Sequence, residues 1–163
     1  MTLKPFLIAA VTALALPAAA QDVVRHRTPG SNFPIAMAVE VPAGRTTVMV
    51  SGMVPGVTNQ SAPRNSLESF GDTRAQTASV LSRIEASLTS IGLGLKDVVR
   101  MQVFLVGDPG RGGRMDFDGF MAAYSERFGT QAQPNLPARS VMQVAGLVNP
   151  GWLVEIEVTA VRP

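Results

Sequence analysis

The chain has 163 residues, 46% of them apolar, which suits one domain with a real core and argues against disorder. It contains no cysteine, so disulfides are excluded and stability rests on packing or assembly. The formal net charge is only +2, too weak a field to imply nucleic acid as a partner, and arginine so outnumbers lysine that bidentate anion binding is the chemistry to look for.

Residues 1–20 read as a secretory signal peptide: Lys4 gives the basic start, Phe6 to Leu16 the apolar run, and Ala18-Ala19-Ala20 the small-residue ending. Cleavage is expected after Ala20. The run is about half the roughly 20 apolar residues a membrane span needs, so the expected location is periplasmic or secreted, with no membrane association after cleavage. Residues 21–33 are polar and broken by Pro29 and Gly30, which predicts a flexible arm leading into a domain over 34–163.

"IAMAVEV" and "TTVMVSG", joined by "PAG", read as a β-hairpin. Residues 53–71 carry turn residues without a sustained period and are expected to form a long surface loop. From Asp72, a fitting N-cap, Leu81, Ile84, Leu88 and Ile91 recur at helical spacing until Gly92 and Gly94 end the pattern. "DVVRMQVFLV" follows as a strand. A second helix, capped by Asp116, carries Phe117, Phe120, Met121, Tyr124 and Phe128 on one face. "ARSVMQVAGL" and "GWLVEIEVTAV", separated by "VNPG", read as a wide antiparallel hairpin. The fold class is therefore α+β, a mixed β-sheet with two helices on one face and the other face left to meet something else.

On the last strand Val154, Ile156 and Val158 point one way, and Glu155, Glu157 and Thr159 the other. Two readings of Arg139, which opens the preceding strand, stay open at this point. It either snorkels to solvent or, with the acids of the next strand, forms a charged site beside the uncovered sheet face that would hold a small carboxylate. Other chemistries fare worse. His26, the single histidine, lies in the arm, which leaves no Ser-His-Asp triad and no histidine-based metal site. "GDPGRGGR" lacks the Lys-Ser/Thr ending of a phosphate-cradling loop, and Lys96 follows a helix end where lysine commonly faces solvent.

Several stretches together resemble the reactive intermediate deaminases, the Rid or YjgF family: "VSG", Gln76, "LKDVVRMQVFL", "FMAAYSERF", "LPARSVMQVAGL" and "LVEIEVTAV". The resemblance covers about Pro34 to Arg162, and "PARS" followed about a dozen residues later by "VEIE" is its main signature. It implies a chorismate-mutase-like subunit in a homotrimer whose sheets form a central barrel, with a cleft at each seam. It further implies hydrolysis of small 2-imino acids or enamines to 2-oxo acids and ammonia, without a cofactor.

Carried over by position, Arg139 is implied to grip the substrate carboxylate, Glu155 to lie near the imine and the attacking water, and Gly52 to line the cleft with its backbone. Ile35, Met121 and Val141 stand where the family commonly has a tyrosine, an asparagine and a cysteine, which implies a greasier pocket. The alternative function is a non-catalytic trimeric module that binds small carboxylates, or shields apolar surface of other proteins, with the same cleft. A third is hydrolysis of a different C–N bond on the same scaffold.

Overall fold

The computed structural model describes residues 22–163. In chain order the elements are β1 (Val24–His26), β2 (Ala38–Glu40), β3 (Thr47–Met53), α1 (Leu67–Phe70), α2 (Thr73–Ser90), β4 (Val98–Val106), α3 (Phe117–Ser125), β5 (Ala138–Val144) and β6 (Val154–Val161). The signal-peptide reading of residues 1–20 lies outside the described residues.

Both long helices begin where the sequence places a cap. The Asp72 carboxylate accepts from the Ala75 amide at 2.8 Å, and Asp116 accepts from the Gly119 amide at 3.0 Å, so each satisfies an amide that the first helical turn leaves over. Leu81, Ile84 and Leu88 of α2 are fully buried. Ile91 is not part of that stripe: it caps the helix and is exposed. On α3 the rings run Phe120, Tyr124 and then Phe128 just past the helix end, with centroids 5.6 and 4.9 Å apart, all buried against the sheet. The expected loop over 53–71 ends in the single turn of α1, closed by Gly71 at φ +82°.

The pairing of strands departs from the expectation in two places. The main sheet has the order β3-β6-β4-β5. β5 and β6 are not a hairpin: β6 pairs antiparallel with both β3 and β4, and β5 pairs parallel with β4. The cause is α3, which carries the chain from β4 back to the start of a parallel neighbour. The "VNPG" turn then only has to step the chain across β4 to its other side. Nor do the two N-terminal β runs form a hairpin. β2 pairs antiparallel with β1, which lies in the segment expected to be an arm, while β3 joins the edge beside β6. The arm is held there by Arg25, whose Nη2 donates to the carbonyls of Lys96 and Val98 at 3.1 Å each. Ala36 makes an isolated parallel bridge to Ala138, which keeps the run before β2 beside the β5 edge.

The long helices cover one face of this sheet. Met101, Val103 and Leu105 of β4 and Val154, Ile156, Val158 and Ala160 of β6 are buried beneath them, as the alternation predicts. On the other face Met49 is 83% exposed, and Phe104 and Met142 are only half-buried. Gln76 ties the two layers together. It is fully buried, its Nε2 donates to the carbonyls of Gly71 and Gly151 at 2.8 and 2.9 Å, and its Oε1 accepts from the Leu153 amide at 2.7 Å. The start of β6 is thereby fixed two residues before Glu155. Gln76→Leu leaves these backbone groups without partners and is expected to cost roughly 2–5 kcal/mol. Urea unfolding of the two proteins checks this, and a difference below about 1 kcal/mol would refute it.

Candidate active site

Arg139 does not snorkel. Its position on β5 is level with Met101 of β4, so its side chain lies on the helix-covered face. The guanidinium carbon is 4.1 Å from the centroid of the Tyr124 ring, 5.0 Å from Phe120 and 5.7 Å from Phe33. Nη2 contacts the Met121 sulfur at 3.2 Å. Nη1 is buried and has no hydrogen-bond partner among the described residues. A buried donor left open in this way is costly unless something fills it. Burial pulls the Arg139 pKa below the ordinary arginine value, and contact with Tyr124 partly opposes that. Burial pushes the Tyr124 phenol up to about 12, and its hydroxyl is anchored by donating to the Pro34 carbonyl at 2.9 Å.

Arg139 borders a cavity of about 380 Å³, together with Ile35, Met37, Met101 and Ser140. Ile35 lines the same cavity, and Met121 touches the guanidinium. Val141 is level with Val103 and packs against the core on the same face. Phe33, Phe120 and Tyr124 are the members of this cluster that the sequence reading passed over. Tyr124 is the single tyrosine of the chain, four residues after one Phe and four before another, a spacing that marks a ring stack.

Glu155 and Gly52 form a second cluster. Glu155 is level with Phe104, on the face that the helices leave open. The ladder between β3 and β6 shifts register between Val50 and Met53, and this bulge carries Ser51 and Gly52 toward the Glu155 side chain. A Cβ at position 52 would overlap the Glu155 carboxylate. Glycine leaves the space in which that side chain lies, and any Cβ there would push it aside. Glu155 has no hydrogen bond or ion pair among the described residues.

The expected charged site shared by Arg139 and the β6 acids beside the open face is thus not formed within one subunit. β4 stands between β5 and β6, and the parity of the register puts Arg139 on one face of the sheet and Glu155 on the other. Each cluster has a group that lacks a partner, and neither cluster holds both. Among the described residues no group of three or more His, Cys, Asp or Glu could hold a metal ion.

A four-stranded mixed sheet with a helical layer on one face, an open second face, and an arginine and a glutamate at its two clusters defines a chorismate-mutase-like α+β subunit of the YjgF type. A family model described as Endoribonuclease L-PSP matches residues 34–162, and the chain belongs to this family, the YjgF/Rid proteins. It is 34% identical over 127 residues to the 3-aminoacrylate deaminase RutC of Acinetobacter baylyi, covering 78% of this chain and 88% of that protein. The conserved Rid-family protein YyfB from Yersinia pestis has a similar structure, with a TM-score of 0.62 at 26% identity over 85% of this chain and 96% of that one. The structure of E. coli TdcF with bound serine matches with a TM-score of 0.55 at 28% identity, over 88% and 99% of the two chains.

Proposed function

We propose that the protein hydrolyses small 2-imino acids, or the enamines from which they form, to 2-oxo acids and ammonia. We propose further that it does so as a homotrimer in which Arg139 of one copy and Gly52 and Glu155 of the next meet at each seam. The observation that carries this reading is Arg139 itself, a cation at the wall of a cavity with its guanidinium packed over three rings. The kinship with a deaminase supports the reaction type. The exposed Met49 and half-buried Phe104 and Met142 support a partner copy over the open face.

The chemistry asks little of the protein. A protonated imine is already electrophilic, so orientation and proton transfer are sufficient. Arg139 fixes the carboxylate and thereby C2. Water adds to C2 as Glu155 accepts its proton, and the proton passes to the nitrogen. Glu155, a carboxylate again, takes the hydroxyl proton as the C–N bond breaks and the C=O bond forms, releasing ammonia. No cofactor takes part in these steps.

The purified protein is expected to speed hydrolysis of freshly generated 2-iminopropionate, 2-iminobutyrate or 3-aminoacrylate above the rate without enzyme. Equality with that background rate for all three substrates defeats the proposal. The second reading, a non-catalytic carboxylate-binding or apolar-surface-shielding trimer, is favoured by one observation: Ile35, Met121 and Val141 are apolar and offer no hydrogen bond of their own to a substrate. Thermal stabilisation by small 2-oxo acids without hydrolysis would select it. Export is also part of the proposal, since the reading of residues 1–20 calls for a protein that begins at Gln21, which the intact mass of the secreted chain tests.

A further inference from the structure

At the sheet edge opposite Arg139 the chain leaves β3 and forms a loop that leans on α2. A cavity of about 710 Å³ lies between them, within the size range of small-molecule sites. Val54 and Val57 form part of its wall, and Phe70 and Trp152 pack edge to face beneath it, 6.2 Å apart at 76°. Arg64 and Arg83 also line it, both exposed, and neither has an ion pair among the described residues. No acid is among the lining residues. Trp152 Nε1 is a further donor without a partner.

Hydrogen bonds within the loop and to its neighbours fix its position. The Gly56 amide donates to Ser79 Oγ of α2 at 3.0 Å, the Thr58 amide and the Ser69 hydroxyl close the loop base at 2.8 and 2.7 Å, and Asn149 Nδ2 donates to Asn65 Oδ1 at 2.8 Å across its mouth. Two guanidiniums without counter-charge over an aromatic and aliphatic floor fit a ligand with an anionic head and an apolar body.

We propose that this cavity binds a small amphipathic anion, an aromatic or acyl carboxylate or phosphate, at a site separate from Arg139. Trp152 is the only tryptophan of the chain, so its fluorescence reports on the cavity directly. Titration of the full chain with 3-phenylpropionate or phenyl phosphate is expected to give a saturable change in that emission. The better of the two anions identifies the head group. Arg64→Ala and Arg83→Ala should each weaken binding by about tenfold or more, and the neutral 3-phenylpropionamide should bind no better than the double variant does. Arg139→Ala should bind as the wild type does, which keeps this test independent of the proposed deaminase site. The proposal is overturned by no saturable change with either anion, by undiminished binding in the double variant, by equal binding of the amide, or by loss of binding in Arg139→Ala.

Discussion

Arg139→Met is expected to cripple imine hydrolysis while leaving thermal stability unchanged or raised. The two prongs of a guanidinium on a carboxylate are each charge-assisted hydrogen bonds worth about 1.5–3 kcal/mol, so kcat/KM should fall on the order of a thousandfold. The folded chain meanwhile loses a cation that it holds buried with one nitrogen unpartnered, and that burial is what lowers its pKa. Methionine keeps most of the packing against Phe120 and Tyr124 without the desolvation cost. Arg139→Lys keeps the charge but not the fork, and should recover only a small part of the lost rate. Steady-state kinetics and a melting curve on the same preparations check both halves. Retained activity, or a collapse in melting temperature equal to that of a core truncation, would show that Arg139 is a structural residue.

Gly52→Ala should be the second most damaging change. The new methyl would overlap the Glu155 carboxylate, so either Glu155 swings away or the bulge on β3 gives. Moving the end of a flexible, half-buried side chain costs little stability, whereas displacement of the acid should lower kcat on the order of a hundredfold. The two effects separate in a double variant. If glycine acts by leaving room for the acid, Gly52→Ala combined with Glu155→Gln is no slower than the slower single variant. Additive losses would mean that Gly52 acts through its own backbone and not through Glu155.

The same two residues show how far a sequence carries. The helices were legible because their signals are local: Asp72 and Asp116 each cap an amide three residues ahead, and Leu81, Ile84 and Leu88 repeat on one stripe. The two faces of β6 were legible for the same reason. Strand partners were not, since an alternating run reads alike at an edge or in the centre, and only α3, acting over a long span, makes β5 a parallel neighbour of β4 instead of a hairpin arm of β6. A family motif points to the residues of the candidate site but not to the faces they lie on. Arg139 faces the helices because it is level with Met101, and that register is set by tertiary pairing. On β5, where Val141 and Met142 are both half-buried, the alternation does not announce a side. The strand in the arm has no local signal, because Arg25 fastens it to carbonyls more than seventy residues away.

The sheet between Arg139 and Glu155 has a genetic consequence in the proposed assembly. When the two reactive groups of a site come from different copies, a chain is not the unit of activity; a pair of facing surfaces is. Two alleles, one lacking the arginine and one lacking the acid, are each silent alone, yet a mixed particle contains a seam at which both intact halves face each other. A defect in one surface is then recessive to a neighbour that supplies it, and selection acts on the two faces of this sheet as though they belonged to separate genes.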